Sequence, residues 1–212
     1  MSELSGRLRQ ATSEVHERAH HSGYMSALLG GRLPIEGYTL LAEQYLAIYG
    51  ALEAAGDALV TDPAAGPFVI DELRRVPALR TDVAALGGSV ESPRVLPETA
   101  AYVARLADTA ADAPRFVAHH YTRYLGDLAG GQVVGKLLER TYGITGAGAL
   151  FYDFSALGSP SQFRTRYREL LDSAPWDEVD RQRALDEAVH AFELNIAVLD
   201  ALAGEVGVPS AA

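Results

Sequence analysis

The chain has 212 residues, 48% of them hydrophobic and 8% aromatic, which suits one buried core and argues against disorder. A formal net charge of -10 argues against a broad nucleic-acid-binding face or a face for acidic membranes. With no cysteine, disulfides, thiolate metal sites, iron–sulfur ligation and cysteine nucleophiles are excluded, and a cytoplasmic location fits.

The N-terminal residues carry no long apolar run, so no signal peptide is expected, and no run approaches membrane-spanning length. Leu4, Leu8, Ala11, Val15 and Ala19 recur at spacings of three and four, which predicts a helix over residues 3–20. A turn follows. Pro34 and Glu36 suit a first helical turn, and Tyr38, Leu41, Tyr45, Ile48, Leu52, Ala55 and Leu59 carry that helix to residue 59. Short helices are expected over 68–75 and 78–86, then longer ones over 97–111 and from 114 to about 142, with Gly143 as C-cap. Ser159-Pro-Ser-Gln162 is a capping box that opens a helix to about Leu171, and a last helix runs to about Ala203. Nothing alternates like a strand. The expected architecture is all-α, with residues 1–206 as one domain and 207–212 as a loose tail.

Three motifs suggest chemistry. His16 borders the apolar stripe of the first helix, where it is either a boundary histidine or an imidazole ligand reaching into a cleft. Glu17-Arg-Ala-His20 and Glu187-Ala-Val-His190 have the spacing of a di-iron bundle site, with Glu43 and Glu53 to complete it. However, Glu17 and Glu187 point away from their helices' apolar stripes and read as solvated. Gly130 to Leu137 nearly spells a phosphate loop, but Leu137 stands where a Ser or Thr belongs and no strand precedes it.

Gly126, Gly130, Gly131 and Gly135 crowd one long helix, at about 1 kcal/mol each relative to alanine. Close helix packing would account for them, and so would the approach of a ligand to bare backbone together with a bend.

Tyr121-Thr-Arg-Tyr-Leu-Gly-Asp-Leu-Ala-Gly-Gly-Gln132 closely resembles the distal-helix signature of the haem oxygenase family. Ala11-Thr-Ser-Glu-Val-His16 resembles its proximal helix, and Tyr45-Leu-Ala-Ile-Tyr49-Gly-Ala-Leu-Glu53 its second helix. Phe151-Tyr-Asp-Phe154, the stretch from Phe163 to Arg168, and Ala191-Phe192-Glu-Leu-Asn195-Ile extend the likeness over nearly the whole chain. The resemblance is to the bacterial, biliverdin-producing type. It implies a single helical domain with haem b sandwiched between an N-terminal proximal helix and a kinked distal helix.

By that resemblance His16 is the axial ligand to iron. Gly126 and Gly130 form the bend over the haem. Asp127 holds the waters that serve bound oxygen, and Tyr49, Thr122, Arg123 and Asn195 extend that network. Arg9, Arg164 and Arg168 pair with the haem propionates beside Tyr121, while Met25, Phe154, Phe163 and Phe192 line the apolar pocket. The implied reaction consumes O2 and electrons and gives biliverdin, carbon monoxide and ferrous iron, with haem as both substrate and cofactor. A non-catalytic haem-binding protein is the alternative.

Two positions depart from the family pattern. Ser13 stands where a lysine is frequent, which removes a propionate contact. His20 stands where an acidic residue is frequent, which rewires the surroundings of the axial imidazole. The expected partner is a ferredoxin or an NAD(P)H-dependent reductase, drawn to Arg7, Arg9, Arg164, Arg166 and Arg168. A monomer or weak dimer is expected.

Overall fold

The computed structural model describes residues 3–209, and among these there is no β-strand. The helices are α1 (Leu4–Ala11), α2 (Ser13–His20), α3 (Gly23–Leu29), α4 (Ile35–Leu59), α5 (Val76–Ala85), α6 (Pro97–Asp108), α7 (Ala113–His120), α8 (Gly126–Leu137), α9 (Pro160–Ser173) and α10 (Glu178–Glu205). Short polar side chains start several of them. Ser22, Asp112, Ser159 and Asp177 each accept a backbone N–H from the first turn of the helix that follows. No helix is long and apolar enough to cross a membrane among the described residues. The expected tail begins after α10, and its residues 210–212, like residues 1–2, lie outside the described residues.

The expected helix over 3–20 divides at Thr12, whose hydroxyl donates back to the Leu8 carbonyl at 2.8 Å and so loosens the turn. The helix expected over 68–75 is instead two single 3-10 turns, Gly66–Phe68 and Asp71–Leu73. Val69 and Ile70 between them leave helical backbone, and Ile70 is extended, as β-branched residues favour where too few neighbours exist to nucleate a helix. The turn expected after residue 20 contains α3.

The long helix expected from 114 to 142 is interrupted by a π-helical turn at Tyr121–Leu125 and ends in a second at Leu138–Tyr142, capped by Gly143 at φ 67°. The glycines are not the irregular part. Gly126 is helical at φ -61°, ψ -50°, and Gly126, Gly130, Gly131 and Gly135 all lie within α8. The change in winding precedes Gly126 and Gly130, in the π-turn, a feature frequent at functional sites.

The long helices α4 and α10 organise the core. α10 runs along α1, α2, α3, α6 and α7, while α4 packs on α5, α6 and α7. On α10 the buried stripe is Ala184, Leu185, Ala188, Ala191, Val198 and Leu202, and small residues let its neighbours approach closely. Glu187 shares that buried face at 4% exposure, which corrects the solvated position read from its sequence. Its carboxylate accepts from Arg105 at both oxygens and from His119 Nε2 at 2.8 Å, and Arg115 lies 3.6 Å away. Burial alone would raise this carboxyl, but the bonds from His119 and Arg105 win and hold it at about 2.

His120, 3% exposed, shares a hydrogen bond between its Nδ1 and the Tyr167 hydroxyl, 2.8 Å away. Burial pushes its imidazole down to about 3. The unfolded chain binds a proton there below about pH 6.5 that the folded chain refuses. His120 therefore contributes stability above pH 6.5 that is lost as pH falls toward 3. The stability gap between the parent and His120→Gln should narrow by about 1.4 kcal/mol per pH unit across that window. Urea midpoints measured at several pH values check this, and a constant gap would contradict it.

Candidate active site

α2 and α3, the π-turn with α8, and the flanks of α4 and α10 enclose a cleft with two adjoining lobes. The inner lobe, about 350 Å³, is lined by His16, Ala19, His20, Met25, Leu28, Leu41, Tyr45, Thr122, Arg123, Gly126, Asp127, Ala129, Gly130, Gly131, Val134, Tyr152, Phe192, Asn195 and Leu199. The outer lobe, about 390 Å³, is lined by Arg9, Thr12, Ser13, His16, Glu17, Tyr121, Thr122, Leu125, Gly126, Ala129, Arg164, Arg168 and Phe192. His16 is the one histidine lining both lobes, as do Thr122, Gly126, Ala129 and Phe192. The His16 ring meets the Phe192 ring edge-on at 5.8 Å, with 58% of the His16 side chain exposed.

The glycines of α8 divide between two tasks. At Gly126 and Gly130 an added Cβ would meet nothing within 4 Å, so packing within the chain does not require glycine there. These two positions leave bare backbone along the cleft. At Gly131 a Cβ would come within 3.0 Å of the Tyr152 ring, and at Gly135 within 3.6 Å of Tyr152 Cβ. Gly131 is therefore the glycine that close packing explains.

Asp127 sits where α8 begins. Tyr49 donates to its Oδ2, and Arg123 Nη2 lies 3.7 Å from the same oxygen. Oδ1 has no hydrogen-bond partner among the described residues. Burial pushes the Asp127 carboxyl well above the usual carboxylate range. Arg123 donates to Asn195 Oδ1 at 2.6 Å, and its guanidinium lies over the rings of Tyr45 (4.5 Å) and Tyr49 (5.2 Å). Thr122 Oγ1 and Arg123 Nε and Nη2 are buried without a hydrogen-bond partner among the described residues. Buried donors of this kind ordinarily find water or ligand.

At the mouth Arg9, Arg164 and Arg168 have no ion-pair partner among the described residues. Burial raises the Tyr121 phenol, opposed in part by the charges of Arg168 and Arg9 nearby. Arg7, by contrast, is bound to Glu178 at 2.6 Å.

Of the residues singled out in the sequence, His16, Met25, Thr122, Arg123, Gly126, Asp127, Gly130, Phe192 and Asn195 meet in the inner lobe, and Arg9, Tyr121, Arg164 and Arg168 in the outer one. Tyr49 stands behind Asp127, fully buried. Phe154 and Phe163 are not among the residues lining either lobe. Phe154 lies under the Arg75 guanidinium at 4.3 Å, behind α8. Phe163 points to the other side of α9, into a separate groove with Ile70 and Leu157. Tyr45 and Tyr152 line the cleft without having been singled out. Tyr45 lies one turn before Tyr49, and that spacing was a usable signal. Of the carboxylates weighed for a di-iron site, Glu17 is exposed at the surface of α2 and the other three are otherwise engaged. Glu43 accepts from the Ser89 and Arg94 amides, Glu53 from Arg75 and Val76, and Glu187 from Arg105 and His119.

Fold and cleft together define a single-domain, all-α protein that presents a histidine-bearing helix and a glycine-bared helix to one apolar cleft with a basic mouth. The family model described as heme oxygenase matches residues 2–201. "Heme oxygenase 1" of Pongo abelii is 37% identical over 210 residues, 94% of this chain and 72% of that protein. "Heme oxygenase 1" of Synechocystis sp. is 32% identical over 206 residues, 96% and 86%. Among solved structures, heme oxygenase-1 from Synechocystis in complex with heme superposes with a TM-score of 0.91 at 30% identity, covering 97% of this chain and 94% of that one. Heme oxygenase from Leptospira interrogans gives 0.89 at 29%, covering 94% and 100%. The chain belongs to the haem oxygenase family, oxidoreductases that cleave haem to biliverdin, carbon monoxide and iron.

Proposed function

We propose that the cleft takes haem b, with His16 Nε2 or Nδ1 as the iron's protein ligand and the propionates at Arg9, Arg164, Arg168 and Tyr121. The observation that carries this reading is the open space over Gly126 and Gly130 in a cleft that also holds His16. A flat ring against α8 needs positions without Cβ, and these two have no other packing reason to be glycine. Bound haem supplies the iron that activates O2 and the meso carbon that is oxidised.

The chain's own residues then divide the work. An imidazole ligand donates less electron density than a thiolate, which disfavours early O–O cleavage. α8 limits the space above the ring to a small ligand. Asp127, its Oδ2 fixed by Tyr49 and Arg123, holds an exchangeable proton at Oδ1 and passes it through water. The buried donors of Thr122 and Arg123 help to anchor that water. Phe192, Met25 and Leu28 exclude bulk solvent from the ring.

We assign the chain to the bacterial, biliverdin-producing type, an assignment supported by its likeness to the cyanobacterial enzymes. Electrons come from a ferredoxin or an NAD(P)H-dependent reductase. The mouth arginines favour an acidic docking face on it, although Arg7 is already neutralised by Glu178.

The test is spectroscopic. Hemin added to the protein should give a shifted Soret band, which decays to a biliverdin spectrum once a reductant and oxygen are supplied. A haem spectrum that persists under competent electron supply would refute the catalytic reading. His16→Ala should weaken hemin binding by about tenfold or more, since losing even the outer-shell partner of a metal ligand costs that much, and should abolish the histidine-type spectrum. An unchanged spectrum rules out His16 as ligand.

A further inference from the structure

α5 carries two buried charges that the reaction does not use directly. Asp82, 0% exposed, accepts three backbone N–H groups of one loop: Gly148 at 2.7 Å and Leu150 at 2.9 Å on Oδ1, and Phe151 at 2.7 Å on Oδ2. Arg75, the N-cap of α5 and 6% exposed, donates to the same loop's carbonyls, Asp153 at 2.6 Å and Phe151 at 3.5 Å. Its guanidinium also covers the Phe154 ring. One carboxylate thus takes the loop's donors and one guanidinium its acceptors. Charge-assisted bonds of this kind are stronger than neutral ones.

That loop backs the site at two points. Phe151, 2% exposed, meets the rings of Tyr45 and Tyr49, each at 5.2 Å, and Tyr49 in turn donates to Asp127. Tyr152 lies against Gly131 and Gly135 of α8, so close that a Cβ at Gly131 would meet it at 3.0 Å. A shift of the loop therefore moves both the support under Asp127 and the back of the glycine helix. Neither Asp82 nor Arg75 lines the cleft.

We propose that Asp82 and Arg75 are positioning residues: by clamping residues 148–154 they set how α8 and Asp127 stand over the cleft, and so which meso carbon is oxidised. The inference rests on the haem reading above. A purely structural role would change how much active protein survives, but not which product isomer it makes.

Two measurements test it. In ligand-free Asp82→Asn, the amides of Gly148, Leu150 and Phe151 should exchange with solvent about ten- to a hundredfold faster, as expected for the loss of bonds to a charge, and α8 amides should lose protection with them. With hemin, reductant and oxygen, the ratio of biliverdin isomers should shift toward a mixture relative to the parent. Arg75→Met, which leaves the Asp82 bonds in place, should shift the isomer ratio in the same way and carries the test if Asp82→Asn does not fold. Unchanged α8 exchange together with an unchanged isomer ratio would overturn the proposal. If the parent itself neither binds hemin nor makes biliverdin, the haem reading falls. The exchange data would still report whether the clamp governs α8.

Discussion

Asp127→Asn is expected to lower the rate of biliverdin formation by about a hundred- to ten-thousandfold, the range for loss of a positioned proton donor, while hemin still binds with a histidine-type spectrum. Asparagine keeps the shape and can still accept from Tyr49, but it has no proton to deliver. In the parent, burial holds the carboxyl well above the usual carboxylate range. The protonated, donating form persists below that raised value and is lost as pH climbs through it. The parent's rate should therefore fall on the alkaline side of a pH profile, and that limb should be missing in the variant. Oxygen consumption should become uncoupled from biliverdin, and peroxidase-type oxidation of an added dye should rise. A variant that degraded haem at the parent's rate would remove Asp127 from the mechanism.

Glu187→Ala is expected to cost a large share of the stability, although the residue lies away from the cleft. The carboxylate is 5% exposed at its side chain and faces Arg105, Arg115 and His119. Breaking a buried pair costs about 3–5 kcal/mol. Arg105 and Arg115 are 26% and 38% exposed and can turn to water, so the lower end applies, about 3 kcal/mol. For a domain of this size that is a fall in Tm of roughly 6–12 °C. Because the folded carboxyl titrates at about 2 against 4.5 unperturbed, its stabilisation is present above pH 4.5 and is lost as pH falls toward 2. The Tm difference between parent and variant should shrink over that range. An equal Tm at neutral pH would show that the two arginines and His119 need no counter-charge.

Several features of the site were legible in the sequence because they are local. The four-residue steps that predict α4 also place Tyr45 and Tyr49 one turn apart, and Ser159 to Gln162 marks the start of α9. His16 at the edge of an apolar stripe stood out for the same reason. The glycines announced that something comes close to α8 but not what, since a glycine that accommodates Tyr152 and one that faces a cleft look alike in a sequence. An aromatic residue in a family motif carries no direction, so the sequence could not place Phe154 under Arg75 or Phe163 beside Ile70 and Leu157. Glu187 misled because leucine, valine and phenylalanine dominate a periodicity count, whereas around Glu187 the buried face of α10 is carried largely by Ala184, Ala188 and Ala191.

The sequence by itself determined the all-α class and most helix starts, since caps and periodicity act within a few residues of chain, while most of the residues that meet in the cleft were supplied by the family resemblance and not by any local pattern. The tertiary structure alone decided what those residues face. It separated Gly126 and Gly130, which open on the cleft, from Gly131, which meets Tyr152, and it put the change in winding into the π-turn ahead of them. It also turned Glu187 inward to two arginines and a histidine, and brought Asp82 and Arg75 to a loop some 70 residues away. Those outcomes depend on contacts between distant segments, and desolvation and charge pairing at such contacts have no local signature.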